Sequence, residues 1–389
     1  RVETNLFQAV GADGVRLEGY NARNYIVGNE VAYPGAAGVS VTSNGPQNTV
    51  TWMDREVIAE RTAQYATFVH NVISNNHIHH GGVIKKRCGA IQVFAMNSVN
   101  NVVSHNLIHD MSDKGLMIKD GFGRIIIEFN DMYRLGLEVA DTGAIMSESW
   151  FTLEEDDELR HGNIIRYNRI RDVFGCAAYG TPQRSEYVQA TRAGGRIWMP
   201  YFTWGIYFDN TGMDITVFGN IVIGTVLGGV SLPVGNPKNI VIENNILVEH
   251  RARQADLQIG HGWTEGKGTS GNRFVRNIVY YTNPESAVLN INSMTREGFA
   301  ECDYNLYFPS AGQEPTVTGA PDGSYERWRE MGFDAHSIIA DPCFVDAAGG
   351  DYRLRPESPA FTLGFQPIDL GSIGLHSTQP AALVQGVQM

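Results

Sequence analysis

The chain has 389 residues, of which 43% are hydrophobic and 19% charged, a composition typical of a folded protein and not of a disordered one. Its net charge of −12 comes without a cluster of Lys or Arg, which argues against a nucleic-acid partner because phosphate binding needs clustered cations. No apolar run reaches the roughly 18 residues that a membrane-spanning helix requires, so we expect no membrane partner. The oligomeric state is not predicted.

The start of the chain carries fewer clear repeats than the rest. It begins at Arg1 without a signal-peptide pattern, so these residues carry no targeting information. We interpret residues 1–70 as N-terminal coils, with a truncated N-terminus as one reading of the weaker pattern.

A short pattern of apolar residues followed by asparagine recurs along most of the chain. Consecutive asparagines are as few as 24 residues apart (130 − 106) and as many as 52 (220 − 168). Such short β-branched segments at a period of roughly 22–25 residues predict a parallel β-solenoid with two or three strands per coil. We expect the asparagines to form a corner ladder in which each amide stacks on the next one. The members of this column are Asn29, Asn76, Asn106, Asn130, Asn168, Asn220, Asn245, Asn277 and Asn305.

A second pattern is a strand that opens with glycine, and its copies should form one sheet of the solenoid. Aligned on their glycines, the first and third following residues should face the interior and the second and fourth should face outward. This places Tyr207 and Asp209 on the outer surface, with Ser147 and Lys119 in the column of Asp209. The copies are residues 89–93, 115–119, 143–147, 205–209 and 229–233.

These patterns predict an all-β chain divided into four parts. A parallel β-helix core covers residues 71–308 after the N-terminal coils, and it carries long loops on one face. A C-terminal cap follows over residues 309–375, with one short helix over 322–332 that ends at Gly332. Residues 376–389 are read as a tail. The inserted loops are residues 148–162, 176–203 and 260–271.

The sequence offers weak support for a metal site. The four cysteines lie far apart and are interpreted as isolated thiols. His79 and His80 are interpreted as an exposed corner pair, and the acidic run at 154–157 as a solvated loop in preference to a calcium site. We therefore expect neither a metal ion nor a cofactor.

Several longer motifs stand out along the chain. They are Val102-Val-Ser-His-Asn-Leu-Ile-His-Asp110, Asp141-Thr-Gly-Ala-Ile145, Asn163-Ile-Ile-Arg-Tyr-Asn168, Gly205-Ile-Tyr-Phe-Asp-Asn210 and the ending at 367–374. These motifs resemble those of the right-handed parallel β-helix proteins of carbohydrate metabolism, and most closely glycoside hydrolase family 141. The resemblance implies a right-handed β-helix, an α-L-fucosidase or xylanase type of activity, and a secreted or periplasmic location. The family pattern carries an acid in two of these motifs, and here those acids are Asp141 and Asp209.

Glycoside hydrolysis needs two facing carboxyl groups, about 5 Å apart for retention and about 6.5–9.5 Å apart for inversion. On one straight sheet Asp141 and Asp209 would be about 20 Å apart, so they can cooperate only if the chain bends at Thr142-Gly143. Without that bend Glu148 is the better partner for Asp209. We expect an inverting reaction.

Candidate substrate-binding residues surround these acids in the sequence. Aromatic rings stack on the apolar faces of sugars, and charged or imidazole groups bind hydroxyls or an anionic group. We therefore expect a carbohydrate partner. The candidates are Trp150, Trp204, Tyr207, His109, Lys119, His261 and Trp263.

Three functions remain open on these residues. The first is a glycosidase acting on a fucoside-type or xylan-type plant or algal poly- or oligosaccharide. The second is a polysaccharide lyase, for which Lys85, Lys86, Arg87 and Lys119 could neutralise a uronate and remove a proton. The third is a non-catalytic carbohydrate-binding solenoid.

Overall fold

Three long parallel sheets build the molecule, and successive coils contribute one strand to each of them. The computed structural model describes residues 1–42, 68–94, 98–119, 122–149, 161–176, 199–210, 212–232, 237–257, 270–291 and 298–376. Neighbours in each sheet come from successive coils and pair in parallel, which confirms the predicted parallel β-helix.

The strands are short, as expected for a solenoid. The first sheet contains Val2–Glu3, Tyr25–Val27, Val72–Ser74, Val102–Ser104, Ile126–Glu128, Asn163–Arg166, Ile215–Phe218, Val241–Glu243, Asn272–Val275 and Phe299–Asp303. The second sheet contains Leu6–Gln8, Glu30–Ala32, His77–His79, Leu107–His109, Asp131–Leu135, Arg169–Val173, Ile221–Ile223, Ile246–Val248, Ile278–Tyr281, Leu306–Pro309 and Ile338–Ile339. The third sheet contains Val15–Glu18, Val39–Thr42, Gly89–Phe94, Lys114–Lys119, Thr142–Ser149, Thr203–Asn210, Gly228–Ser231, Arg253–Asp256, Ala287–Asn290 and Val317–Thr318. A small fourth sheet contains Asn21–Ala22, Phe68–Val69, Ser98–Val99 and Phe122–Gly123.

The core is a stack of branched apolar side chains inside the coils. Side chains alternate across each strand, so one residue in two points inward and its equivalents on successive coils lie in register. Full burial of one such side chain stabilises the fold by roughly 1.5–3 kcal/mol. The central column of the first sheet is Ile26, Ile73, Val103, Ile127, Ile165, Val217, Ile242 and Phe274.

The asparagine ladder is present as predicted. Asn106 donates its side-chain amide to Oδ1 of Asn130 at 2.9 Å, and Asn130 donates in turn to Oδ1 of Asn168 at 2.9 Å. The same bond links Asn29 to Asn76 at 2.9 Å near one end. The left-handed backbone belongs to the residue before each asparagine, such as Phe129 (φ 55°), and not to the asparagine itself. The asparagine satisfies the backbone groups that this turn exposes.

The C-terminal cap folds back along the solenoid. Backbone atoms of Gln366 hydrogen-bond the Asn244 side chain, and the His376 N–H donates to Oδ1 of Asn75 at 2.7 Å. Phe344 and Phe365 pack on the outer face of the second sheet, which shields apolar residues there from water. An antiparallel pair, Phe344–Asp346 and Asp351–Leu354, lies within this segment.

One short α-helix, Tyr325–Glu330, lies in the cap, within the predicted range. Ser324 is its N-cap and accepts a hydrogen bond from the Arg327 N–H at 3.2 Å, while Gly332 (φ 94°) follows the last turn. The 3-10 helices of the described residues are Pro321–Gly323, Pro359–Leu363 and Leu370–Ser372. None of the helices in these residues has the length and apolar character needed to cross a bilayer.

Candidate functional site

A charged column crosses the outer face of the third sheet. Parallel pairing places Lys119 beside Glu148 and Glu148 beside Asp209, on three successive coils. The Lys119 ammonium lies 3.2 Å from Oε1 of Glu148. Adjacent strands are roughly 4.8 Å apart, so the Glu148 and Asp209 carboxylates leave the sheet side by side.

The register of this sheet differs by one residue from the alignment of glycines. Gly143 pairs with Trp204 and not with Gly205, so Ser147 lies beside Phe208 and the predicted Ser147–Asp209 neighbourhood is wrong. The two glycines serve different contacts. A Cβ on Gly143 would lie 2.8 Å from the Tyr207 Cβ on the outer face, whereas a Cβ on Gly205 would lie 2.2 Å from Val222 inside the coil.

The same shift reverses several predicted side-chain directions. The register of Gly89–Phe94 and Thr142–Ser149 places Ile91, Val93 and Ile145 in the core, although we expected them outside. Gln92 and Met146 consequently face outward, although we expected them inside. The outward positions of Tyr207, Asp209 and Lys119 are as predicted.

Tyr207 connects the charged column to Asp141. Its hydroxyl donates to Oδ1 of Asp141 at 3.2 Å, and Arg87 binds Oδ2 of the same carboxylate at 3.3 Å. Burial raises the pKa of the Tyr207 phenol well above its usual range, and the negative charges of Asp141, Asp209 and Glu148 raise it further. The phenol therefore remains protonated and acts as a hydrogen-bond donor.

The bend that would bring Asp141 to Asp209 is not where the sequence predicted it. Thr142 and Gly143 both belong to the strand Thr142–Ser149 and pair with the next coil. The left-handed turn lies one residue earlier, at Asp141 itself (φ 57°). Asp141 thus contacts Tyr207, and it is Glu148 that stands beside Asp209.

Trp204 is held from two sides. Its ring stacks on Tyr207 with 4.1 Å between centroids, and its indole N–H donates to Oδ2 of Asp256 at 2.8 Å. Arg253 and the Asn290 amide also bind Asp256, at 3.0 and 2.7 Å. Sequence reasoning missed Asp256 because its strand lacks the leading glycine that marked the other copies, although its outward position continues the Tyr207 column.

A cleft of about 290 Å³ opens beside Glu148. Its lining combines apolar side chains, among them Phe94, Met117 and Met146, with charged ones. A buried ion pair lies in its wall, where the Lys114 ammonium contacts both carboxylate oxygens of Asp113 at 2.9 Å. This pair was also missed, because nothing in a single sequence shows that adjacent charged residues will be buried together.

The cysteines do not offer a nucleophile to this cleft. All four are free thiols, and Cys88 lies in the cleft wall. Burial raises the pKa of Cys88 to about 12, and the charge of Asp113 acts in the same direction. A thiol in this state is protonated and weakly nucleophilic at neutral pH.

The remaining predicted residues fall into two groups. His109 lies on the second sheet, where it pairs with Tyr133 on the next coil, so the structure does not bring it to the charged column. Trp150, His261, Trp263 and the acidic run at 154–157 lie outside the described residues, as does most of each predicted loop.

Comparison with known proteins agrees with this geometry. A family model described as a right-handed beta helix region matches residues 1–279. No curated protein matches the chain. The family model thus spans most of the coils, including every residue of the charged column.

Proposed function

Because the chain belongs to the right-handed beta helix family, whose fold is shared by glycosidases, lyases and binding proteins, we propose that it is a glycoside hydrolase. The observation that carries this proposal is the position of Glu148 beside Asp209 on the outer face of the third sheet. Two adjacent carboxylates next to a cleft are the groups that hydrolysis of a glycosidic bond requires.

Each carboxylate takes one role in this reaction. Glu148 forms an ion pair with Lys119, and we assign it the role of the nucleophile. Asp209 protonates the leaving oxygen and then removes a proton from the water that releases the sugar from Glu148. With a strand spacing of roughly 4.8 Å, this pair favours retention of anomeric configuration in place of the inversion expected for Asp141 with Asp209.

Asp141 acts through Tyr207 in this proposal. It accepts the hydrogen bond of the phenol and, together with Arg87, fixes the position of the ring. The protonated Tyr207 hydroxyl then stands near both reacting carboxylates. It donates its one proton to Asp141, and its oxygen can accept a hydrogen bond from a sugar hydroxyl without adding charge. Asp141 is therefore a positioning residue.

The substrate class follows from the resemblance and from the cleft. The motifs around Asp141 and Asp209 resemble family 141 glycoside hydrolases, which points to a fucoside-type or xylan-type plant or algal saccharide. Phe94, Met117 and Met146 supply apolar surface for the face of a sugar ring. A secreted or periplasmic location is part of the same proposal.

The test is hydrolysis of a panel of fucose-containing and xylan polysaccharides by the full chain. Glu148→Gln and Asp209→Asn should each lower turnover at least about 1,000-fold without loss of the fold. Glu128→Gln is the matched control: Glu128 is 17% exposed and paired with Arg166, and Glu148 is 13% exposed and paired with Lys119. Normal turnover in both site variants would show that the assignment is wrong.

Proton NMR of the first product tests the pairing of the acids. A product that keeps the anomeric configuration supports Glu148 with Asp209, whereas an inverted product points to Asp141 as the partner. Binding without cleavage by the wild-type chain would favour the non-catalytic solenoid.

A lyase is the second candidate, because Arg87, Lys114 and Lys119 all line the cleft. Each of these cations already contacts a carboxylate, namely Asp141, Asp113 or Glu148. A uronate would have to displace those partners, which is why hydrolysis is preferred. Absorbance near 235 nm from an unsaturated product would reverse the preference.

A further inference from the structure

A histidine cluster lies on the outer face of the second sheet, away from the charged column. His77 and His79 flank the buried Ile78 on one strand and therefore both point outward. His109 is the neighbour of His79 on the next coil, and Glu30 is the neighbour of His77 on the preceding one. The proposed hydrolase activity uses none of these residues.

The nitrogen and oxygen atoms of this cluster converge. Oε1 of Glu30 lies 3.3 Å from Nε2 of His79, and Glu30, His77 and His79 can each place one donor atom within 4.8 Å of the other two. Nε2 of His77 also lies 2.8 Å from Nε2 of His109. One of these two ring nitrogens carries a proton and donates it to the other, which fixes the orientation of the His77 ring.

One of these separations equals that of two ligands on a small transition-metal ion. Zinc binds imidazole nitrogen and carboxylate oxygen at about 2.0–2.2 Å with tetrahedral geometry, which puts ligand atoms roughly 3.3 Å apart. The distance from Glu30 to His79 has this value. His79 is oriented by its other ring nitrogen, since Nδ1 lies 2.8 Å from Nδ1 of His80.

We propose that Glu30, His77 and His79 bind one divalent ion of the zinc class. Two imidazoles and a carboxylate leave the fourth tetrahedral position for water, and Glu30 is half exposed, so an ion can enter from solvent. This proposal departs from the expectation that His79 belongs to a simple exposed corner pair.

A second set of three groups is a weaker candidate. His80, His109 and Asp110 also lie close together. However, Arg134 binds Oδ1 of Asp110 at 2.7 Å, and His109 contacts Oδ2 at 2.7 Å. A guanidinium on this carboxylate opposes a metal ion, so the set around Glu30 is preferred.

The experiment is calorimetric titration of the full, tag-free chain with ZnCl₂ after treatment with a chelator. We expect one ion per chain, and a rise in the unfolding temperature on addition of zinc. His79→Ala and His77→Ala should each weaken the affinity at least about 10-fold and abolish the temperature rise. Circular dichroism of each variant verifies the fold, which should persist because Ala32 already occupies the position equivalent to His79 on the neighbouring coil.

Two controls make the result decisive. Asp110→Asn removes a ligand of the second set only, and His336→Ala removes an exposed histidine of the cap. Both should bind zinc nearly as the wild type does. Absence of binding by the wild type would overturn the proposal, and so would loss of binding in Asp110→Asn while His77→Ala and His79→Ala still bind zinc normally.

Discussion

Two columns of polar residues run along this solenoid, and they differ in what they repeat. The asparagine ladder places the same side chain at one corner of successive coils, and each amide satisfies the next. The charged column of the third sheet changes at each coil, from Phe94 to Lys119, Glu148 and Asp209. Each asparagine of the ladder fulfils the hydrogen-bonding needs of its copies on the neighbouring coils. The charged column instead brings different functional groups together, which a catalytic site requires.

The two columns also differ in how deeply their side chains are buried. Asn130 is fully buried and its side chain forms hydrogen bonds in both directions. Glu148 and Lys119 keep 13% and 25% of their side chains exposed, beside a cleft. Changes in the ladder should therefore act on stability, and changes in the charged column should act on turnover.

The largest effect on stability is expected for Asn130→Ala. Its side chain accepts from the backbone and side-chain amides of Asn106 and donates to Val103 and Asn168. Truncation leaves several buried groups without partners, so the free energy of unfolding should fall by about 3–5 kcal/mol. Urea unfolding measures this loss.

Half-buried Asn283 provides the control: its side-chain hydrogen bonds with Arg251 and Glu285 lie in exposed surroundings, so Asn283→Ala should change stability by less than about 1 kcal/mol. Turnover per folded molecule should be normal in Asn130→Ala. A stable Asn130→Ala variant with reduced turnover would remove the distinction between the two columns.

A buried histidine, His250, predicts that the stability of the fold depends on pH. Burial lowers the pKa of His250 from 6.5 to about 3, while Thr225 hydrogen-bonds its Nδ1. The unfolded chain binds this proton more readily, so the contribution of His250 is complete above pH 6.5 and is lost as the pH falls toward 3. Between pH 7.5 and 4.5 the loss is roughly 2–3 kcal/mol.

His250→Asn should flatten this part of the pH profile, because the Asn oxygen can replace Nδ1 but does not titrate. The wild-type chain, measured under the same conditions, is the reference. Urea unfolding at several pH values makes the comparison. An unchanged slope in His250→Asn would assign the acid sensitivity to other groups.

The sequence repeats predicted the fold well because the repeated residues are the ones that pack each coil on the next. The asparagine column, the parallel sheets and the short helix of the cap all follow from local patterns. The register of the third sheet did not, because a glycine can serve either face: Gly143 makes room for Tyr207 and Gly205 for Val222. Because the true register differs by one residue from the predicted one, Glu148 and not Ser147 lies beside Asp209.

Contacts between residues that are far apart in the sequence could not be predicted from it, for another reason. The bond from Tyr207 to Asp141 depends on side-chain directions on two adjacent coils, and the bond from Trp204 to Asp256 on directions two coils apart. The histidine cluster likewise needs Glu30 and His77 to be neighbours, although 47 residues (77 − 30) separate them in sequence. Such pairs leave no local pattern.

Tyr207→Phe examines the charged column with a smaller change. It removes the hydrogen bond to Asp141 and the hydroxyl oxygen that we assign to the sugar as an acceptor, so turnover should fall about 10–100-fold. Tyr133→Phe makes the same change on the outer face of the second sheet and should have no effect on turnover. Equal losses in the two variants would indicate damage to the fold and not to the site.

Trp204→Phe should give the smallest effect and should define the role of this ring. Only 6% of Trp204 is exposed, and one face is covered by Tyr207, so the proposed role is to position Tyr207 and not to carry a sugar. The variant loses the bond to Asp256, which retains Arg253 and Asn290. A loss of about 1 kcal/mol corresponds to a fall in kcat of about 5-fold.

Whether Trp204→Phe changes kcat or KM distinguishes a positioning role from direct binding of the sugar. A positioning residue should lower kcat while KM changes less than about 2-fold, since the stacking surface for the sugar is elsewhere. A rise in KM with normal kcat would instead make Trp204 the sugar platform that the sequence suggested. The sugar-binding surface would then extend along the Tyr207 column to Asp256, two coils beyond Asp209.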